Sequence, residues 1–221
     1  MPALHLLRVF CSDDGSGGNP LGVFLDGAEV PPERRQAVAA ELALSEIVFV
    51  DDADRGEIRI FTPSVELDFA GHPAVGTAWL LEGADVLRAV AGELAIRRDG
   101  ETVYVVVRPD WGPPWEFAEL ASPNDVDALD GPPRGHDLTT AWAWVDEPAG
   151  TIRARAFPVR IGIAEDEATG SAATKLCAQL RRPIDIRQGR GSRILARPSD
   201  DGLVEIGGRS VLDDVRDYGL P

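Results

Sequence analysis

Three short clusters in this chain place ionisable or hydroxyl side chains beside small residues. The first is Ser45-Glu46, at the junction between a helix-like stretch and a strand-like one. The second is Gly71-His72, just ahead of a run of small residues. The third runs from Glu165-Asp166 to Gly170-Ser171. Two carboxylates, an imidazole and a hydroxyl gathered in one cleft are equipped to move protons at carbon. Glycines beside them would let a ligand carboxylate approach the backbone closely. Taken singly, each residue has a plainer reading. Glu46 suits a solvated strand start, and His72 a helix cap or a satisfied core position. Asp166 suits an N-cap and Ser171 a helix-interior hydroxyl. Asn19-Pro20 reads as a turn. Gln188-Gly189 with Gly191 reads as a turn or as a ligand-facing loop, and the residues alone favour the turn.

Other chemistries lack their residues. Gly15-Ser16-Gly17-Gly18 is not followed by the Gly-Lys-Ser/Thr of a phosphate-binding loop, and no dinucleotide fingerprint occurs. No Gly-x-Ser-x-Gly elbow is present for a hydrolase nucleophile. Cys11 and Cys177 stand apart, without zinc-ligand spacing, so no metal site is expected. Lys175 is the only lysine among 22 basic residues, and Schiff-base chemistry would fall to it alone. The net charge of −15 argues against nucleic acid and anionic membranes as partners. An anionic ligand would therefore need local donors. The N-terminal residues do not read as a secretory leader, and no 18-residue apolar run suggests a membrane span. The expectation is a cytoplasmic protein.

The elements that must hold these clusters can be read coarsely from pattern. Strands are expected at 4–10, 21–25, 46–50 and 57–61, with a glycine-rich loop at 11–20. Pro31-Pro32 opens a helix whose apolar positions are Val38, Ala39, Leu42 and Leu44. A buried helix is expected over 74–81, and a hairpin around Asp99-Gly100 joins strands 94–98 and 102–107. Residues 109–136 read as a linker. Strands at 139–145 and 151–157, a helix at 169–180 and short strands at 184–186, 192–196 and 203–206 complete the chain. Trp142 and Trp144 share one strand face, which suits packing.

The two halves echo each other. Ile58-Arg59 and Ile152-Arg153 lie 94 residues apart, as do the segments starting at Gly71 and Glu165. Each strand leads through a polar turn to a small-residue helix, so a duplicated domain is expected. Facing copies would bring two helix N-termini to one cleft, where free amide N–H groups suit a carboxylate.

These motifs together resemble the PhzF-like isomerases, the phenazine biosynthesis-like proteins related in fold to diaminopimelate epimerase. The resemblance is carried by Gly18-Asn19-Pro20-Leu21-Gly22-Val23, Ser45-Glu46 with Phe49-Val50, and Ile58 to Pro63. It continues through Glu66-Leu67, Gly71-His72-Pro73, Glu165-Asp166, Ala168 to Ala172, and Gln188-Gly189. It implies an α+β fold of two similar domains, each a curved, barrel-like mixed sheet around a central helix. The domains would span 1–108 and 109–221, with the extreme C-terminus packing back on the first.

The resemblance also implies a role for each cluster. Glu46 would be the proton-shuttling carboxylate, supported by His72, Asp166 and Ser171. Asn19, Ser45, Gly71 and Gly170 would bind a small carboxylate-bearing substrate. Neither metal nor organic cofactor is implied, and family members are commonly homodimers. Related racemases use paired cysteines, which these clusters lack. Two departures stand out. Glu167 occupies a position where many relatives have proline, which adds a negative charge near the presumed cleft. The chain is also shorter than typical members around residues 109–140. The expected function is a cofactor-independent isomerase acting by general acid/base catalysis. The alternative is a non-enzymatic small-molecule binding or regulatory protein on the same scaffold, with a hydrolase a weaker third.

Overall fold

Alternation of apolar and polar residues dictates a sheet with one covered face. Along Thr151–Phe157, the side chains of Ile152, Ala154 and Ala156 are buried while Thr151, Arg153 and Arg155 are partly exposed. The structure, a computed structural model, describes residues 1–220. Its strands form one 14-stranded mixed sheet. The first half holds β1 (Ala3–Cys11), β2 (Gly17–Phe24), α1 (Pro32–Leu42), β3 (Glu46–Asp52), β4 (Glu57–Phe61) and β5 (Glu66–Leu67). It continues with α2 (Gly71–Leu80), β6 (Val86–Ala89), β7 (Gly92–Asp99) and β8 (Thr102–Val107). The second half holds β9 (Glu116–Glu119), α3 (Pro123–Asp127), β10 (Thr139–Asp146), β11 (Thr151–Phe157), α4 (Gly170–Leu180), β12 (Ile184–Gln188), β13 (Ser192–Pro198) and β14 (Val204–Asp217).

Strand β14 is the closing element. Its first residues pair with β8 on one side and β13 on the other. Its remainder pairs with β1, from Arg209 opposite Cys11 to Asp217 opposite Ala3. Strands β1, β2, β3, β4, β6, β7, β8 and β14 thereby close into a barrel. Helix α2 fills it, and every residue from Gly71 to Ala78 is buried. A helix covered on all sides must be apolar all round and slim where strands press on it. Gly76 shows why: a Cβ there would stand 2.6 Å from side-chain atoms of both Leu21 and Val9. In the second half, β14, β13, β12, β11, β10 and β9 curve past α4 and stop at β9 without closing.

The internal repeat is deeper than its sequence echo. In both halves a parallel pair encloses a helix, namely β2 and β3 around α1, and β9 and β10 around α3. An antiparallel hairpin follows in each, then the central helix, then a parallel partner for the hairpin's second strand. Residues 109–136 are therefore not a structureless linker, since they carry β9 and α3. The short, polar β9 lacks the apolar alternation that would announce a strand. The offset of 94 holds for the starts of β4 and β11. The central helices instead correspond at 99, Gly71 to Gly170, because β11 is two residues longer than β4 and the turn after it three residues longer. Residues 17–20, expected in a loop, extend β2, where cross-strand pairing to β1 overrides their turn-like composition. Strand β14 likewise runs well past the expected 203–206.

The helix N-termini do converge. A Cβ on Gly71 would lie 3.0 Å from the Gly170 Cα, and one on Gly170 would lie 3.0 Å from the Gly71 Cα. Backbone meets backbone here, so neither position tolerates a side chain without separating the helices. Gly170→Ala is expected to destabilise the protein by about 1–3 kcal/mol, the usual cost of overpacking. Urea unfolding of the full chain measures this, and an unchanged midpoint would mean the junction is slack.

Candidate active site

The converging helix ends form the floor of a cavity of about 360 Å³. Ser45, Glu46, Gly71, His72, Asp166, Gly170 and Ser171 all line it. Seven of the eight residues expected at the site are thus brought together. The eighth, Asn19, is buried behind Asp166 rather than facing the cavity. A larger, open hollow of about 610 Å³ lies between residues 12–16 and 187–192. It contains neither Glu46 nor His72 and is lined by both aspartates and arginines, so the smaller, more apolar cavity is the better-built site.

Glu46 starts β3 and points into this cavity, where its Oε2 lies 3.2 Å from the His72 Nε2. Desolvation, and secondarily the charge of Asp166, push the Glu46 carboxyl up to about 8. Burial drives His72 down to about 3, with a ring hydrogen bond to the Pro20 carbonyl opposing it. That bond uses Nδ1–H, because Nε2 has no aligned partner. The imidazole is therefore neutral, with its Nε2 lone pair turned toward Glu46. The two facing atoms are both acceptors when Glu46 is ionised, and neither is then satisfied. A proton on Glu46 turns the contact into a hydrogen bond. The pair is close but is not a salt bridge, since His72 carries no charge near neutrality.

Asp166 is held differently. Desolvation raises it to about 6, against hydrogen bonds from Thr169 and Asn19 that favour the anion. The Thr169 hydroxyl donates at 2.6 Å and the Asn19 amide at 2.8 Å. The Asn19 amide also donates to the Ala168 carbonyl, and Ser45 donates to the Asn19 Oδ1. Gln188 donates to the Asp166 backbone carbonyl at 2.8 Å and to the Thr169 hydroxyl at 2.9 Å. Gly189 to Gly191 form the expected turn, between β12 and β13, while Gln188 itself ends β12 and braces the aspartate from behind. Thr169 carried no sequence signal beyond its place before the small-residue helix.

Glu167 does not reach the cavity. Its carboxylate accepts from the Arg190 N–H at 2.8 Å and the Ser192 hydroxyl at 2.9 Å. The expected extra charge is felt only indirectly, as a contribution that raises Asp166. Gly189 makes room for that carboxylate, since a Cβ there would sit 2.4 Å from a Glu167 oxygen.

Donors for an anion come from the helix ends. Neither N-cap residue, Ala70 nor Thr169, caps its helix through a side chain, so first-turn N–H groups are left for a ligand. No lysine or arginine lines the cavity, and Lys175 lies outside it. Cys11 and Cys177 are free, buried and also outside it, with Cys177 pushed up to about 12 by burial. The walls are apolar, built from Leu67, Phe69, Trp111, Trp115, Ile161 and Ile163. No described helix is long and apolar enough to cross a membrane.

Comparison with known proteins decides the family. Residues 7–103 match the model of the phenazine biosynthesis-like protein family. The chain is 32% identical, over 80% of its length and 80% of the relative's, to a trans-2,3-dihydro-3-hydroxyanthranilate isomerase of Pseudomonas fluorescens. The chain belongs to the phenazine biosynthesis-like family. A Pseudomonas aeruginosa isomerase with the same activity in its name is 33% identical over 86% of this chain and 90% of its own. Identity at this level across most of the chain makes the protein an isomerase of that family. The fold agrees: a Clostridium difficile phenazine biosynthesis PhzC/PhzF protein superposes with a TM-score of 0.82, covering 99% of this chain and 100% of its own at 20% identity. A probable proline racemase from Agrobacterium radiobacter, 14% identical, covers 100% of this chain and 94% of its own with a TM-score of 0.65. The phenazine-type sheet is thus the epimerase-like one.

The buried carboxyls fix the sign of a pH effect. Glu46 ionises near 4.5 in an unfolded chain but near 8 in the folded one. Folding therefore binds a proton in that window, and stability is lost as pH rises through it. Asp166 adds the same sign between 3.8 and about 6. His72 acts oppositely, losing stability as pH falls from 6.5 toward about 3. Glu46→Gln should remove its share, so the variant loses less stability than the parent between about pH 4.5 and 8. Urea midpoints across that range test this; a parent-to-variant difference independent of pH would show that Glu46 does not titrate there.

Proposed function

We propose that the protein isomerises a small carboxylate-bearing substrate by moving one proton between two of its carbons, with Glu46 as the carrier and no cofactor. The observation that carries this reading is the buried Glu46 carboxyl, facing a neutral imidazole and lying near a second carboxylate. Desolvation makes the Glu46 carboxylate a much stronger base than one in water, strong enough to share a proton with activated carbon near neutral pH.

In the step envisaged, the Glu46 carboxylate takes a proton from one carbon. The electron pair of that C–H bond moves into the adjoining unsaturated system. Protonated Glu46 then donates a hydrogen bond to the His72 Nε2, and the same proton is returned at a second carbon. Nothing is oxidised or reduced, and Glu46 ends as it began. Asp166, anchored by Asn19 and Thr169, strengthens the hold of Glu46 on its proton and so makes its carboxylate the stronger base. The substrate carboxylate would lie at the N-termini of α2 and α4, and its uncharged body against the apolar wall. The two anthranilate-type isomerase relatives support a ring acid of about this size.

The direct test is incubation with trans-2,3-dihydro-3-hydroxyanthranilate in deuterated buffer, followed by NMR. Isomer formation or carbon-bound deuterium is expected, and Glu46→Gln should reduce it by roughly 10²–10⁴-fold. Full activity in that variant would overturn the role given to Glu46. A second outcome concerns pH. Because the base form accumulates as pH rises, kcat/KM should climb through about 8. Asp166→Asn removes the like charge and should move that limb to lower pH. A limb that stays in place would mean Asp166 does not act through Glu46.

A further inference from the structure

The segment that joins the two halves also shapes the cavity. Residues 109–115 leave β8, turn at Pro109–Trp111 and cross the first turn of α4 before β9. Gly112 lets this strap press on the helix, since a Cβ there would be 2.9 Å from the Ser171 Cβ. Trp111 packs on Phe69, with ring centroids 5.4 Å apart. Trp115 is buried against Leu138, Ala156 and Ala172, and its Nε1–H donates to the Ser171 hydroxyl at 2.9 Å.

That bond constrains a proton. An indole N–H can only donate, whereas a serine hydroxyl accepts and donates. Trp115 occupies an acceptor lone pair of Ser171 and cannot receive the serine's own hydrogen. Thr174, one turn along, returns its hydroxyl hydrogen to the Gly170 carbonyl at 2.9 Å. Ser171 makes no such bond among the described residues, and the residue lines the cavity. The hydrogen is left for a ligand. Without lysine or arginine in the lining, each hydroxyl or amide donor weighs heavily in what the site accepts.

We propose that Trp115 is a positioning residue that fixes the Ser171 hydroxyl as a hydrogen-bond donor into the cavity, so that the site selects ligands presenting an acceptor oxygen there over equal-sized ligands presenting an N–H. This rests on the carboxylate-substrate reading above. It assigns the specificity to a tryptophan that lines the cavity beside the serine and acts through the serine hydroxyl.

The test compares 2-aminobenzoate with 2-aminobenzamide, which differ at one position, a charged acceptor oxygen in the first and an uncharged donor nitrogen in the second. Binding is measured by titration calorimetry on the full chain and on three variants: Trp115→Phe, Ser171→Ala and the double. Phenylalanine keeps the ring packing and removes the N–H. The parent should prefer the acid. Trp115→Phe should lower that preference by roughly tenfold to a hundredfold, the scale of one hydrogen bond to a charged acceptor, through loss of acid binding. Ser171→Ala, which leaves Trp115 packed, should lose a similar factor, and the double variant little more than either.

Equal weakening of acid and amide in Trp115→Phe would reduce the tryptophan to packing and overturn the proposal. Additive losses, or a full acid preference in Ser171→Ala, would do the same, and the serine variant decides the matter even if the tryptophan variant does not fold. A parent that binds both probes equally overturns this inference alone. A parent that binds neither overturns the carboxylate reading as well.

Discussion

A carboxyl group stripped of water, with no cation beside it, is the constraint from which the rest of the structure follows. An isolated buried carboxylate is costly, and the usual remedies are a salt bridge or a full set of donors. Glu46 has neither. Its neighbour His72 is held neutral by its own burial, and its other neighbour, Asp166, repels it. The group is left to hold a proton near neutrality, and the protein's many arginines stay out of reach. They form ion pairs at the surface, as with Arg155 and Glu165 or Arg160 and Asp137. Asp166 receives the opposite treatment. Asn19 and Thr169 satisfy its oxygens, and Gln188 holds both Thr169 and the aspartate's backbone. Two carboxyls in one cavity are thereby pushed to different affinities for a proton, the arrangement that lets one act as acid while the other stays charged.

Such a site needs walls from both halves. Glu46 and His72 come from the first half, Asp166 and Ser171 from the second, and Asn19 crosses between them. The Gly71–Gly170 contact sets the spacing. Because both helix ends are slim there, two sets of unpaired N–H groups can share one ligand. The same economy explains the helix sequences: small residues in α2 reflect the narrow barrel around it, and only incidentally a ligand.

Much of this was legible from residue order, and the failures have specific causes. Small-residue helices after polar turns announced the repeat, since barrel interiors admit little else. The family resemblance then supplied the roles proposed for Glu46, His72, Asp166 and Ser171, which pattern alone could not separate from caps and core positions. Asn19 was expected to touch substrate but serves Asp166, because a buried amide and an exposed one look the same in sequence. Glu167 was expected near the cleft. Its side chain instead turns to the loop at Arg190 and Ser192, a partner more than 20 residues away that no local pattern shows. Strand β9 escaped notice because a four-residue edge strand leaves almost no periodicity. Trp115 sat in a stretch of prolines and glycines whose irregularity concealed a wall of the cavity.

The pairing of β14 with β1 bears on the order in which the molecule can form. Asp217 lies opposite Ala3, so the first barrel joins the beginning of the sequence to residues made more than two hundred positions later. Contacts so far apart along the chain are slow to establish and are reached only after the loop between them has been closed. During synthesis, β1 and β8 must wait with unpaired edges until residues 204–217 emerge from the ribosome, while α2 lacks part of its covering. Until that strand docks, the helix ends lack Ile206, whose side chain packs beside both Gly71 and Gly170. Formation of the barrel and formation of the cavity between the helix ends are consequently one event, reached only once residues 204–217 have been made.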